Sequence, residues 1–362
     1  MNKSQPLVSI GMPVYNGEPY LPLALDSLLK QDYEKFELII SDNASTDKTQ
    51  EICLEYVARD KRIRYDRNYN NIGAAKNFER VLEKASGHYF MWAAHDDLWE
   101  KTYISKCVSK LEENSSALMV CSEIVFINED GSIRTDMPSD RKNRETLGMD
   151  VAARIHKLIA HVDWYEFYGL FRFSALKHTL KQINLVATLE KFGGDVILLM
   201  ELSLRGEFAK INEPLFFYRS HPQQASLADL KNAKEDRVIK KPYSFLAREL
   251  LRVVLNSNLD EALKYQIQAD FVETLSVQNW EWRERIAREE SFLSATDIPP
   301  QVVRILIERA IMPKIQADVI IEIVKIPYRV YTKIVNIFYL IRMRLRLRTR
   351  IKNIWQRLSY RS

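Results

Sequence analysis

Tyr89-Phe90-Met91-Trp92-Ala93-Ala94-His95-Asp96-Asp97 is an apolar run that stops on two adjacent carboxylates. Its first four residues predict a buried strand, which puts both acids at the strand's C-terminal end. In an open α/β sheet that edge is where ligands bind. None of the three residues that follow is basic, so the acids would repel each other unless a cation neutralises them. Hard oxygen donors of this kind suit Mg²⁺ or Mn²⁺, ions that in turn hold phosphates. A solvated turn or a helix cap is the plainer reading of the same pair, since Asp commonly caps helices.

Working outward from this stretch, strand and helix alternate. Leu7 to Met12 is a short apolar strand ended by Pro13, and Leu21, Leu25, Leu28 and Leu29 repeat at helical spacing. Phe36 to Ile40 is a second strand, followed by Ser41-Asp42-Asn43-Ala44-Ser45-Thr46-Asp47, where Ser45 or Thr46 is expected to cap a helix carrying Ile52, Tyr56 and Val57. Arg62 to Tyr65 reads as a third strand. After Gly73, the residues Phe78, Val81, Leu82 and Ala85 mark a helix that stops at Gly87. Beyond the acid pair a further helix bears Tyr103, Cys107, Val108 and Leu111. Successive βα units imply a parallel sheet with right-handed crossovers, so the fold class is α/β.

The loops at the strand ends converge in space. The first offers Pro13-Val14-Tyr15-Asn16-Gly17, the second Asp42-Asn43, the third Asn71 to Asn77 with Lys76, and the fourth Asp96-Asp97. An aromatic ring can stack on a base, a carboxylate can accept from its N–H, and a lysine can meet a phosphate. Taken singly, Tyr15 reads as packing, Asp42 as a helix cap and Lys76 as a solvated helical residue. Four equipped loops together point to a nucleotide.

Pro13-Val14-Tyr15-Asn16, Asp42-Asn43-Ala44-Ser45-Thr46-Asp47, Asn71-Ile72-Gly73 with Asn77, and His95-Asp96-Asp97 occur in the order of the motifs of family 2 glycosyltransferases with the GT-A fold, which the chain resembles over about residues 6 to 226. The resemblance implies a Rossmann-like, mostly parallel sheet flanked by helices. It also implies inverting transfer of a sugar from a nucleotide-sugar, usually a UDP-sugar, with Mn²⁺ or Mg²⁺. By resemblance Tyr15 and Asp42 hold the base, with Pro13 and Asn16 in the same nucleotide-binding loop. Lys76 stands where a basic residue often contacts the nucleotide, Asp96 lies near the ribose, and Asp97 binds the metal. The chain departs from the family in reading His-Asp-Asp where the metal motif is Asp-x-Asp, so His95 is expected to support the site rather than to bind the ion.

The second half is read as the acceptor side. Asn128 to Ser132 predicts a hairpin turn. Residues 134 to 147 are polar and are expected to form a mobile loop near the acceptor. Tyr168 to Arg172 reads as a strand. Gly193-Gly194-Asp195 precedes a helix bearing Leu198, Leu199 and Leu202. Asp195 by itself would be a helix cap; the resemblance makes it the general base that takes the acceptor hydroxyl proton. Pro214 to His221 is expected to follow a strand, with His221 completing the metal or diphosphate site and Arg219 steadying its loop.

Composition bounds the rest. With 362 residues, 46% of them apolar, the chain can build one large domain or two ordinary ones. Its three cysteines (Cys53, Cys107 and Cys121) have neither metal-ligand spacing nor an even count, and are read as core in a reducing compartment. The N-terminus shows no signal-peptide block, and no stretch reaches the roughly 20 apolar residues of a membrane span. A cytoplasmic protein, peripheral on the inner face of the membrane, is expected.

Four segments are expected: a nucleotide-sugar half over 1–115, an acceptor half over 116–228, a helical extension over 229–324, and a basic tail over 325–362. In the extension the Trp280 and Trp282 pair is read as core or interface. The tail holds 11 Lys or Arg and no Asp or Glu, whereas the preceding residues carry 42 basic and 48 acidic groups. Ile334, Phe338, Ile341 and Leu345 share one helical face. An anionic membrane surface is the expected partner of this tail, with a solvated tail or a protein-docking segment as alternatives.

The expected partners of the whole chain are a nucleotide-sugar donor and a glycan or lipid-linked acceptor, with the oligomeric state open. Nucleic acid is not expected, because the body is net acidic. The competing function is a catalytically silent nucleotide-sugar or glycan-binding protein on the same scaffold. A nucleotidyltransferase would need a glycine-rich basic phosphate loop that the chain lacks.

Overall fold

A computed structural model describes residues 5–137, 145–159, 165–222, 242–273, 301–302 and 305. The strands are β1 (Val8–Val14), β2 (Phe36–Asp42), β3 (Ile63–Arg67), β4 (Tyr89–Trp92), β5 (Leu98–Trp99), β6 (Ala117–Ile127), β7 (Leu170–Arg172) and β8 (Glu207–Arg219). They join into one sheet in the order β3-β2-β1-β4-β7-β6-β8-β5. Helices α1 (Leu21–Leu29), α2 (Thr49–Arg59), α3 (Ala74–Glu83) and α4 (Tyr103–Glu113) connect the first strands, as the alternating pattern predicts.

In the first half β3, β2, β1 and β4 run parallel. Every residue of β1 and β4 is buried, as expected of strands covered on both faces. Contact between α3 and β1 is close enough that a methyl group at Gly11 would lie 2.7 Å from Val81 Cγ2. Beyond β4 the sheet becomes mixed. β7 enters antiparallel to both β4 and β6, β6 and β8 pair in parallel, and β5 closes the edge antiparallel to β8. The three cysteines are buried in α2, α4 and β6, as read.

Several local expectations change. Neither Ser45 nor Thr46 caps α2, which starts at Thr49 after Lys48. Residues 45–49 serve the first loop instead. Ser45 Oγ accepts from the Asn16 N–H (2.9 Å), Thr49 Oγ1 from Gly17 (2.8 Å) and Asp47 Oδ2 from Glu18 (2.9 Å). Helix α3 ends at Glu83, short of Gly87. Gly87 has a different task, since a Cβ there would sit 2.7 Å from the Ser9 nitrogen. Of the predicted strand from Tyr168, only Leu170–Arg172 is extended; Tyr165–Tyr168 form a 3₁₀ turn.

The turn over Asn128–Ser132 forms, with Gly131 at φ 85° and Asn128 N–H donating to Ser132 O (2.8 Å). Pro214 to Arg219 lie within β8 rather than after it. Pro214 faces Glu123 at an irregularity of the ladder, where its missing N–H is tolerated. Residues 138–144 of the polar loop lie outside the described residues. Its far end is held, because Thr146 is buried and its hydroxyl accepts from Phe208 N (2.7 Å).

Helices α5 (Val151–Ile159), α6 (Phe173–Leu180), α7 (Leu185–Leu189) and α8 (Gly194–Ser203) flank the second half. Two units are distinguished, residues 1–253 and 254–362. Helix α9 (Pro242–Leu255) buries Leu246, Ala247 and Leu250. In the second unit α10 (Glu261–Glu273) buries Ile267, Ala269 and Phe271, and Asp260 Oδ1 accepts from Ala262 N at its start (2.9 Å). Trp280, Trp282 and residues 325–362 lie outside the described residues.

Candidate active site

The C-terminal ends of β1, β2, β3 and β4 are neighbours in the sheet, so the four loops of interest adjoin one another. Hydrogen bonds weld the first loop to the second through Asn16, Gly17 and Glu18, with Asn16 held at φ 53°. The second is tied to the third by amides. Asn43 Nδ2 donates to Asn71 Oδ1 (2.9 Å) and Asn43 Oδ1 accepts from Ile72 N (2.9 Å), while Asn68 Nδ2 reaches both Asn43 Oδ1 and Asn77 Oδ1 (3.1 Å each).

Among the expected nucleotide ligands, Tyr15 is 45% exposed, and Asn16 and Lys76 are exposed as well. Pro13 is buried in β1 opposite Ser41. Asp42 differs from expectation, being wholly buried with both oxygens already in use. Oδ1 accepts from Ser45 N (2.8 Å), and Oδ2 accepts from Tyr65 O–H (2.7 Å) and Arg67 Nη1 (3.1 Å). Asp42 therefore anchors its loop, and a base N–H would have to compete with those donors. Tyr65 and Arg67 were missed because β3 reads from sequence only as a strand.

At the acid pair, Asp97 is 1% exposed. Its Oδ1 accepts from the Arg219 backbone N–H (2.9 Å), while its Oδ2 is buried with no hydrogen-bond partner among the described residues. Burial pushes the Asp97 carboxyl well above the usual carboxylate range and the neighbouring Asp96 adds to this, against the pull of Arg219. Asp96 behaves oppositely. Burial works against its charge, but the bond to His221 and the nearby His95 outweigh it and hold its carboxyl low. Asp96 Oδ2 lies 2.8 Å from His221 Nε2.

Arg219, which the sequence suggested only as support for its own loop, clasps the whole corner. Nε donates to Asp96 O (2.8 Å), and Nη1 donates to Asn128 O (3.2 Å) and Glu129 O (2.8 Å). Tyr20 lies beneath, with its ring centroid 4.6 Å from that of His221 and 5.0 Å from the Arg219 guanidinium carbon. His95 packs on Gly17, where a Cβ would come within 2.9 Å of its ring. Burial lowers the His95 imidazole, which favours a neutral packing group.

A divalent ion is compatible with these donors. No three of His, Cys, Asp or Glu among the described residues stand close enough to hold a metal alone. Mg²⁺-type sites, however, commonly use one or two carboxylates and take their other ligands from phosphates and water. The unpartnered Asp97 Oδ2 is a donor of this kind. His221, expected as a ligand, has its Nε2 committed to Asp96, so its buried, unpartnered Nδ1 is the nitrogen that remains.

Asp195 stands in the first turn of α8, with Gly193 as the cap residue at φ 69° and no side chain capping the helix; its Oδ1 accepts from Val196 N (2.9 Å). The two glycines let the start of α8 pack closely on its neighbours. A Cβ at Gly194 would lie 2.2 Å from Thr188 O, and one at Gly193 would lie 2.8 Å from Leu246 Cδ1. Gly194→Ala is expected to cost about 2 kcal/mol by overpacking, read as a lower denaturation midpoint; an unchanged midpoint would show that α7 and α8 can part freely. Asp195 and the acid pair share a neighbour. Burial pushes the Tyr168 phenol well up, and the nearby Tyr218, Asp97, Asp96 and Asp195 add to this.

Comparison with known proteins agrees with this geometry. The family model for glycosyl transferase family 2 matches residues 9–180. An uncharacterized glycosyltransferase of Haemophilus influenzae is 32% identical over 176 residues, covering 48% of this chain and 69% of that protein. The uncharacterized glycosyltransferase RT0329 of Rickettsia typhi is 32% identical over 160 residues, 44% of this chain and 49% of its own, so the chain spans about half the length of that relative.

Among solved structures, S. aureus TarS 1-349 in complex with UDP-GlcNAc superposes with a TM-score of 0.59 at 18% identity, over 84% of each chain. The mannosyltransferase PcManGT from Pyrobaculum calidifontis, in complex with GDP-Man and Mn²⁺, superposes with a TM-score of 0.51 at 14% identity, over 93% of this chain and 86% of that one. The curled, helix-flanked sheet is thus of the GT-A type. The chain belongs to glycosyltransferase family 2.

Proposed function

We propose that this protein is an inverting glycosyltransferase, moving a sugar from a nucleotide-sugar, UDP-sugars first among them, to a hydroxyl of a glycan or lipid-linked acceptor. The observation that carries this reading is the orphaned buried carboxylate oxygen of Asp97 at the end of the β4 loop, with a second carboxylate, Asp195, in the first turn of a helix that packs, like β4, against the Tyr165–Tyr168 turn. Tyr15, Asn16 and Lys76 supply the open positions for base and phosphate. Asp97 Oδ2 would hold a divalent ion, with His221 Nδ1 as its second donor. Such an ion supplies Lewis-acid stabilisation of the charge growing on a leaving diphosphate.

Asp195 would take the acceptor hydroxyl proton as the oxygen attacks the anomeric carbon and the diphosphate leaves from the opposite face. A carboxylate is basic enough for this role, because the hydroxyl becomes acidic as its oxygen bonds to carbon. No covalent sugar–protein intermediate is required. The test is a panel of UDP-, GDP- and dTDP-sugars with Mn²⁺ or Mg²⁺, scored by slow donor hydrolysis and by thermal stabilisation. TarS and PcManGT suggest UDP-GlcNAc and GDP-Man as first probes. Stabilisation without turnover, with any acceptor offered, would favour the silent binding protein; no response to the whole panel would reject both readings.

The basic tail supports a peripheral attachment to anionic membrane, which would bring the site to a lipid-linked acceptor. Each basic residue near such a surface is worth about 1 kcal/mol. Among the described residues no helix is long and apolar enough to cross a membrane. Deleting residues 325–362 is expected to abolish binding to phosphatidylserine vesicles and to spare donor hydrolysis. Vesicle binding by the full chain should also weaken with salt, as the Debye length is about 8 Å at physiological ionic strength. Equal vesicle binding by both proteins would exclude the anchor.

A further inference from the structure

Tyr168 ends the 3₁₀ turn, and that turn packs against α8, β4 and β6. It is fastened to both sides of the site. Phe167 stacks on Trp92 of β4 with ring centroids 4.6 Å apart and planes 7° apart. Tyr165 lies 4.8 Å from Tyr218, and the next residue, Arg219, gives its N–H to Asp97. The backbone of Tyr168 itself is pinned by the buried Tyr103, whose hydroxyl donates to Tyr168 O (3.1 Å). Its ring is held between Phe167 at 5.5 Å and Phe216 at 5.8 Å.

The turn therefore touches both the strand that leads to the acid pair and the helix whose first turn holds Asp195. So well supported a residue would be expected to bury its hydroxyl in a hydrogen bond. Tyr168 is only half-buried, and its hydroxyl makes no hydrogen bond among the described residues. A polar group on a turn that packs against both β4 and α8, and without an internal partner among the described residues, is a group available to a ligand. On the glycosyltransferase reading that ligand is a sugar, whose hydroxyls accept hydrogen bonds readily.

We propose that Tyr168 is a substrate-contacting residue whose hydroxyl donates a hydrogen bond to a sugar hydroxyl held between Asp97 and Asp195. This rests on the glycosyltransferase reading above. The contact would orient the sugar ring during transfer without touching the nucleotide. A tyrosine phenol is protonated, and hence a donor, across the working pH range.

Tyr168→Phe deletes one oxygen and keeps the ring. The full-length variant is compared with wild type using the nucleotide-sugar that the panel identifies, with Mn²⁺, and the free nucleoside diphosphate as control. The melting temperature and nucleoside diphosphate affinity are expected to be unchanged. Donor kcat/KM is expected to fall about ten-fold, the size of one neutral hydrogen bond. Unchanged kcat/KM overturns the proposal. An equal loss of nucleoside diphosphate affinity, or a lower melting temperature, also overturns it by making Tyr168 a support for the loops. If wild type itself ignores the whole panel, the glycosyltransferase reading fails and the proposal falls with it.

Discussion

Asp195→Asn is expected to reduce sugar transfer at least about 10²-fold, the usual contribution of a positioned general base, while nucleotide affinity stays at the wild-type value. The two effects separate because Asp195 stands in the first turn of α8 and belongs to none of the four loops that would hold the nucleotide. Asparagine retains an oxygen that can accept from Val196 N, so the start of the helix is preserved. What it cannot do is take a proton. The measurement is kcat for transfer beside donor affinity by calorimetry, on the same preparation. Transfer near the wild-type rate would reduce Asp195 to a local helix-end contact, and another acid would have to serve as base.

Asp97→Asn is expected to act on binding. The wild-type carboxylate is nearly inaccessible, with one oxygen on Arg219 N–H and one oxygen unpartnered. Burying a charge without full compensation is costly, so the apo form of the variant should melt no lower than wild type. With Mn²⁺ and donor the order reverses. A ligand at 100 times its Kd stabilises the folded state by about 2.7 kcal/mol; wild type should show a gain of this kind and the variant should lose its metal-dependent part. Parallel melting curves with undiminished Mn²⁺-dependent stabilisation would remove Asp97 from the metal site.

Asp97 was visible in the sequence because an apolar strand ending on two acids is a local pattern. That the two acids differ was not visible. Asp96 is engaged by His221 and Asp97 by Arg219 N–H, both from the end of β8, more than 120 residues away. Asp42 teaches the same lesson in reverse. Its place at the end of β2 was readable, but its saturation by Tyr65 and Arg67 depends on the pairing of β2 with β3. Ser45 reads as a capping residue, whereas its oxygen, like that of Asp47, serves a backbone N–H group of the first loop. Capping chemistry is the same whether the donor is local or distant, and composition cannot choose between them.

What the sequence by itself determined is the half of the molecule built from short-range rules. The alternation of buried strands with amphipathic helices, the parallel direction of the first four strands and the positions of the loops follow from periodicity and from the handedness of βα crossovers. Tertiary structure alone decided how the second half closes on the first. The antiparallel insertion of β7, the long β6–β8 ladder, the Arg219 clasp and the platform under Tyr168 unite segments far apart in the chain. The physical reason is that a periodic pattern reports which face of an element is buried. It carries no record of which distant donor or acceptor will meet each polar group once that face is covered.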